Sequence, residues 1–167
     1  MEKLTIDDLT IAGKRILVRV DFNVPLEHGR VMDDKRVRAA LPTILHIVKS
    51  GGRLVLMSHL GRPKGKPDPA LSLRPCANVV ASLLGQKVAF AEDCIGEAAV
   101  SAADRLNDSG VLLLENLRFY GQEKANDREF AAELAKLGDV YINDAFGTAH
   151  RAHASTEGVT HFFDQCA

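Results

Sequence analysis

The chain has 167 residues, 46% hydrophobic and 26% charged, which suits one domain with a continuous core and excludes a disordered or fibrous chain. Its 21 Lys and Arg nearly cancel 22 Asp and Glu, so no global field draws it to nucleic acid or an anionic membrane, and any anion site must be a local concentration of charge. The N-terminus lacks a signal-peptide pattern, no run approaches about 18 apolar residues, and Cys76, Cys94 and Cys166 have neither disulfide-framework nor zinc-site spacing, so a cytoplasmic protein with reduced thiols is expected.

The first predicted strand is the apolar run 15–20, which breaks into Arg19-Val-Asp-Phe-Asn-Val-Pro25. Period-2 geometry puts Ile16, Val18, Val20 and Phe22 on one face and Arg19, Asp21 and Asn23 on the other. Unpaired buried polar groups cost about 1–3 kcal/mol each, so these three either neutralise one another, as an Arg19–Asp21 ion pair, or serve a ligand. A helix is expected over 37–50, ending at Gly51-Gly52, with Pro42 predicting a kink or a late start. A strand at 53–57 follows, then a helix with Ser72 as N-cap and Pro75 in its first turn, stopped by Gly85. A weaker strand at 87–91 precedes a helix over 97–107 and a strand at 111–115. The last pair is a helix over 127–137, capped by Asn126 and closed by Gly138, and a strand at 140–143. Doubly buried apolar runs alternating with helices predict an α/β fold: an open, mainly parallel, Rossmann-like sheet with helices on both faces.

Such sheets bind ligands beyond the carboxyl ends of their strands. Four of the five loops there deliver a basic or polar group: Asp21 and Asn23, then His59 and Arg62, then Arg118, then Arg151. The segment after Ala91 offers Glu92-Asp93 instead and is excluded from an anion site. Converging arginines suit a phosphate or carboxylate, which a guanidinium binds bidentately while staying charged. His28, His46 and His161 have no such company and are read as ordinary surface or core histidines. Gly61-Arg-Pro-Lys-Gly65-Lys66-Pro67 is not a nucleotide phosphate loop, because three residues rather than four separate the glycines and Pro67 stands at the hydroxyl position. No G-x-G-x-x-G follows the first strand, and no nucleophile–base pair stands out. Phosphoryl transfer needs neither, since positioning and charge stabilisation do most of its catalysis.

Five stretches, Arg19–Pro25, Asp34–Thr43, Ser58–Gly65, Leu114–Tyr120 and Asn143–His153, together resemble the N-terminal half of the phosphoglycerate kinase family, in the family's order. The resemblance implies that residues 1–167 are a triose-binding domain, a fragment of a longer two-domain chain. It implies phosphoryl transfer between 1,3-bisphosphoglycerate and ADP, with ATP/ADP and Mg2+ on a missing C-terminal domain that acts in cis. It assigns the 3-phosphate to His59, Arg62, Arg118 and Arg151, and the glycerate hydroxyl and carboxylate region to Asp21 and Asn23. Phe22, Leu60 and Gly61 join them as substrate contacts, and Arg36 bridges the carboxylate and the phosphoryl group in flight. Arg19 then falls to orienting Asp21. The chain is expected to bind 3-phosphoglycerate as a monomer without turnover alone, with no metal of its own. A freestanding anion-binding module and a nucleotide-binding domain are the competing readings.

Overall fold

A computed structural model describes residues 4–148 and 150–167. In chain order the elements are β1 (Arg15–Val20), β2 (Leu26–Glu27), β3 (Arg30–Val31), α1 (Lys35–Lys49), β4 (Arg53–Met57), α2 (Arg74–Leu84) and β5 (Ala89–Ala91). They continue as α3 (Gly96–Asp104), β6 (Val111–Leu114), α4 (Gly121–Lys124), α5 (Arg128–Ala135) and β7 (Val140–Asp144). The main sheet runs β5-β6-β4-β1-β7 with every pairing parallel, and Gln165–Ala167 lies along the outer edge of β7, where Asn143 N donates to Ala167 O at 2.8 Å.

Alternation within the strands divides the core into two layers. Ile16, Val18, Val20, Leu54, Leu56 and Leu113 pack on one face against Ile44 and Ile47 of α1 and Cys76 and Val80 of α2. Leu17, Val55, Met57, Leu112, Leu114 and Tyr141 pack on the other against Ala99 and Ala103 of α3 and Phe130 and Leu134 of α5. Both faces are therefore covered, which is why these strands are continuously apolar rather than alternating in sequence. Phe22 continues the first face beyond β1, as period 2 requires.

The helix ends show where local signals held and where tertiary contacts replaced them. α1 is a single helix that starts at Lys35 and passes through Pro42 without starting late. Pro42 is exposed, so water can satisfy the carbonyl that loses its donor. Gly85 closes α2 at φ 67°, the left-handed conformation that glycine adopts without a Cβ penalty. At the other end of α2 the N-cap position falls to Leu73 and not to Ser72 as expected; Ser72 Oγ, one residue earlier, accepts from Arg74 N, while Glu115 from the distant β6 loop accepts from Leu73 N at 2.9 Å. α5 is capped by Asp127, which accepts from Phe130 N, and not by Asn126 as expected; Asn126 instead takes φ 52° and donates to Glu157 at 2.7 Å. The β2–β3 hairpin was not expected: His28 (φ 51°) and Gly29 (φ 74°) make its left-handed turn between strands too short to show a period.

Cys76, Cys94 and Cys166 are free thiols, and burial pushes Cys76 up to about 12. Among the described residues, no helix is long and apolar enough to cross a membrane.

Candidate functional site

The carboxyl ends of β1, β4, β6 and β7 open into one cleft of about 560 Å3. Parallel pairing puts those ends on the same side of the sheet, so four loops remote in sequence meet there. The cleft is lined by Asp21 and Asn23 after β1, His59, Gly61 and Arg62 after β4, Arg118 after β6, and Arg151, Gly147 and Thr148 after β7. Arg36 from the first turn of α1 and Lys124 from α4 complete it.

At one end, Asp21 Oδ1 accepts from Asn23 N at 3.1 Å and from Arg36 Nη1 at 3.2 Å. Arg36 Nη1 also donates to Asn23 O at 2.9 Å, which holds a half-exposed guanidinium over the β1 turn. Asn23, which lines the cleft, uses Oδ1 to accept from Gly61 N at 2.9 Å, and its amide NH2 makes no hydrogen bond among the described residues. This end thus offers one carboxylate oxygen and one amide donor side by side.

Two buried side chains fasten the loops. Ser58 Oγ accepts from Phe22 N at 2.9 Å and donates to His59 O at 3.0 Å, tying the end of β4 to that of β1. Asn116 Oδ1 accepts from Leu60 N and Arg118 N, while its amide donates to Leu60 O at 2.7 Å and Leu71 O at 3.0 Å. Gly61 sits at φ 62°, and a Cβ there would lie 2.7 Å from Leu71 Cδ2. Glycine lets the β4 loop adopt this left-handed turn, with its N–H toward Asn23, without strain or a shift of Leu71.

The other end is cationic. Arg118 is 8% exposed; its Nη1 reaches Gly61 O only at 3.4 Å, and its buried Nε has no acceptor among the described residues. Arg62, Arg118 and Arg151 have no carboxylate within ion-pair distance among those residues. Burial first, and then the charge of Arg151, push the Arg118 guanidinium below its ordinary value. His59, 5% exposed, is pushed down to about 2, chiefly by burial and then by the positive charges of Arg19 and Arg118. A guanidinium left buried without a partner is costly, and an anion entering the cleft is what would compensate it.

Eight of the ten residues expected to contact substrate line this cleft: Asp21, Asn23, Arg36, His59, Gly61, Arg62, Arg118 and Arg151. Phe22 and Leu60 do not; both side chains belong to the apolar core, and Phe22 N and Leu60 N are already bonded to Ser58 and Asn116. Arg19 does not orient Asp21 as expected. Fully buried, it donates from Nε to Ser155 Oγ at 2.9 Å, from Nη1 to Val20 O, and from Nη2 to His59 Nδ1 at 2.7 Å. Asp21 pairs with Arg36 instead. Glu92 pairs with Arg74 and Asp93 accepts from Tyr120, so the acidic β5 loop stays out of the cleft.

Lys124, Thr148, Asn116, Glu123 and Ser155 were not anticipated. Lys124 follows a tyrosine-glycine turn with no strand of its own, and Asn116 is an ordinary polar residue until three loops meet around it. Among the described residues, no group of three or more His, Cys, Asp or Glu is placed to hold a metal ion. Asp21, the carboxylate of the cleft, is engaged by Arg36.

Comparison with known proteins agrees with this geometry. The chain is 62% identical over 163 residues to a phosphoglycerate kinase of Chlorobium phaeovibrioides, a match that covers 97% of this chain and 41% of that protein. It is 58% identical over 167 residues to that of Moorella thermoacetica, covering all of this chain and 42% of the relative. Solved phosphoglycerate kinase structures from Coxiella burnetii and Pyrococcus horikoshii superpose with a TM-score of 0.88 each, at 34% and 31% identity; each covers 99% of this chain, and this chain spans 41% and 42% of them. The chain therefore spans about two fifths of the length of the relatives it matches. The phosphoglycerate kinase family model matches residues 6–167, and the chain belongs to that family.

Proposed function

We infer that the cleft binds the phosphorylated triose and that these residues are the 3-phosphoglycerate-binding part of a phosphoglycerate kinase, which moves a phosphoryl group between 1,3-bisphosphoglycerate and ADP. The observation that carries this is the set of Arg62, Arg118 and Arg151, convergent and without a carboxylate partner among the described residues, beside the hydrogen-bonding pair Asp21 and Asn23. An anion alone would need only the first; a hydroxyacid phosphate uses both.

In this reading Arg62, Arg118, Arg151 and His59 take the 3-phosphate, with charge-assisted bonds of about 1.5–3 kcal/mol each. Asp21 accepts from the glycerate hydroxyl and the Asn23 amide donates to the carboxylate region, so the triose is held end to end. Arg36 stands over that second end, held by Asp21 and Asn23 O, where a guanidinium stabilises charge on the phosphoryl group in flight. Phe22 and Leu60 act through the core, fixing the loop backbones rather than touching the triose.

Nucleotide and magnesium belong, in the same reading, to a second domain working in cis. Magnesium there neutralises the phosphates of the nucleotide. The residues of this cleft do not make a magnesium site, because Asp21 is committed to Arg36. Catalysis needs both halves closed around both substrates, so these residues alone bind triose without turnover. A cytoplasmic monomer fits this reading.

Titration calorimetry with 3-phosphoglycerate and, separately, with ATP tests it. Saturable binding of the triose with none of ATP is expected. Binding of ATP but not the triose would overturn the assignment.

A further inference from the structure

We propose that Arg19 is a positioning residue: it fixes His59 as the neutral tautomer with its proton on Nε2, so that the cleft presents a donor whose state does not change across physiological pH. A guanidinium has donors only, so at 2.7 Å from Arg19 Nη2 the Nδ1 of His59 must accept, and it must be unprotonated. A neutral imidazole then carries its hydrogen on Nε2, on a ring that lines the cleft.

Arg19 is itself fixed. Its Nε donates to Ser155 Oγ, and Ser155 Oγ passes its own hydrogen to Glu123 Oε2 at 2.6 Å while Ser155 N donates to Glu123 Oε1 at 2.7 Å. Arg19, Ser155 and Glu123 are all fully buried, so β1, α4 and the segment after β7 are joined by one desolvated network in which Glu123 supplies the countercharge. The groups around His59 oppose its protonation: Arg19 from β1, Arg118 from the β6 loop, and Arg151 and His153 from the β7 loop. Arg36, Arg62 and Lys124 line the same cleft, and its carboxylate, Asp21, is taken by Arg36. Burial of the ring acts in the same direction.

The proposal leans on the triose reading only for its ligand, and the first measurement needs no ligand. Nitrogen-15 spectra of the His59 ring in the unmodified chain, followed between about pH 5 and 8, are expected to show a pyridine-like Nδ1, a pyrrole-like Nε2 and no titration. A ring protonated on Nδ1, or one that titrates in that range, would overturn the proposal even if Arg19→Met failed to fold. The second measurement is 3-phosphoglycerate affinity against pH in Arg19→Met. At pH 8 binding should weaken roughly tenfold. Part of it should then return as pH falls, because one of the charges opposing protonation of the ring is gone while burial, Arg118, His153 and Arg151 remain. The unmodified chain should show no such recovery, and Arg19→Met combined with His59→Gln should lose it. A recovery that survives removal of His59, or its absence in Arg19→Met, would contradict the role given to Arg19. If the triose failed to bind at all while the ring spectra held, the triose reading would fall and the tautomer assignment would stand.

Discussion

Arg118→Met is the substitution with the most distinctive expected outcome, because it should separate binding from stability. Arg118 is 8% exposed, and among the described residues its Nε has no partner and its one side-chain hydrogen bond, to Gly61 O, is long at 3.4 Å. Methionine keeps the buried stem and removes the charge that Arg62 and Arg151 repel. The ligand-free chain should therefore lose nothing, and its Tm should stay within about 2 °C or rise. Binding should suffer differently. Loss of one charge-assisted bond, at about 1.5–3 kcal/mol, weakens 3-phosphoglycerate roughly 10- to 150-fold. At a concentration 100 times its Kd, the triose stabilises the unmodified chain by about 2.7 kcal/mol, or roughly 5–10 °C in Tm. At that same concentration a variant bound a hundredfold more weakly gains only about 0.4 kcal/mol, roughly 1 °C. Thermal scans with and without the triose measure both effects. A ligand-free Tm lowered by more than about 4 °C with the ligand shift intact would show Arg118 to be structural and refute the reasoning.

Asn116→Ala removes four hydrogen bonds at once and leaves the backbone groups of Leu60, Leu71 and Arg118 without partners, so urea unfolding should show a loss of about 3 kcal/mol or more. Gly61→Ala places a Cβ 2.7 Å from Leu71 Cδ2 at φ 62°, and should cost about 1–3 kcal/mol together with a weaker triose affinity through Asn23. Because the pKa of His59 is lower folded, at about 2, than unfolded, at about 6.5, the unfolded chain binds the extra proton between those values. Its contribution is fully present above about pH 6.5 and is lost as pH falls, at about 1.4 kcal/mol per pH unit. Denaturation at pH 7, 6 and 5 should show a loss that steepens toward that slope, about 2 kcal/mol in all, and His59→Gln should reduce it; an unchanged loss would contradict the burial of a neutral ring. In a full-length enzyme, Arg36→Ala should lower kcat more than it raises KM for the triose, and steady-state kinetics with unchanged kcat would remove Arg36 from phosphoryl transfer.

The strands were readable because the middles of β1, β4, β6 and β7 are buried on both faces and so write themselves as short, mostly apolar runs rich in Val, Leu and Ile. Once the strands are placed, parallel topology alone brings Asp21, His59, Arg118 and Arg151 to one edge, and the cleft follows. What stayed hidden depended on tertiary proximity. Arg36 sits in a helix, where its spacing is that of a surface charge, and only the fold lays it over Asp21. Arg19 and Asp21 share a strand face, which made a local ion pair plausible, yet Arg19 turns to Ser155, 136 residues away, and to His59. Asn126 and Asp127 are both good caps, and the Glu157 contact of Asn126 decides between them. The hairpin at His28-Gly29 joins strands of two residues each, which is too short for an alternation to register.

The most direct test of the account is to watch the arginine and asparagine side chains by nitrogen-15 spectroscopy while 3-phosphoglycerate is added, with ATP as a parallel titration. The account predicts large shifts at Arg118 Nε, Arg62, Arg151 and the Asn23 amide, saturating together, with ATP leaving them unmoved. Saturable triose binding that spares these three arginines, or ATP that shifts them as strongly, would contradict it.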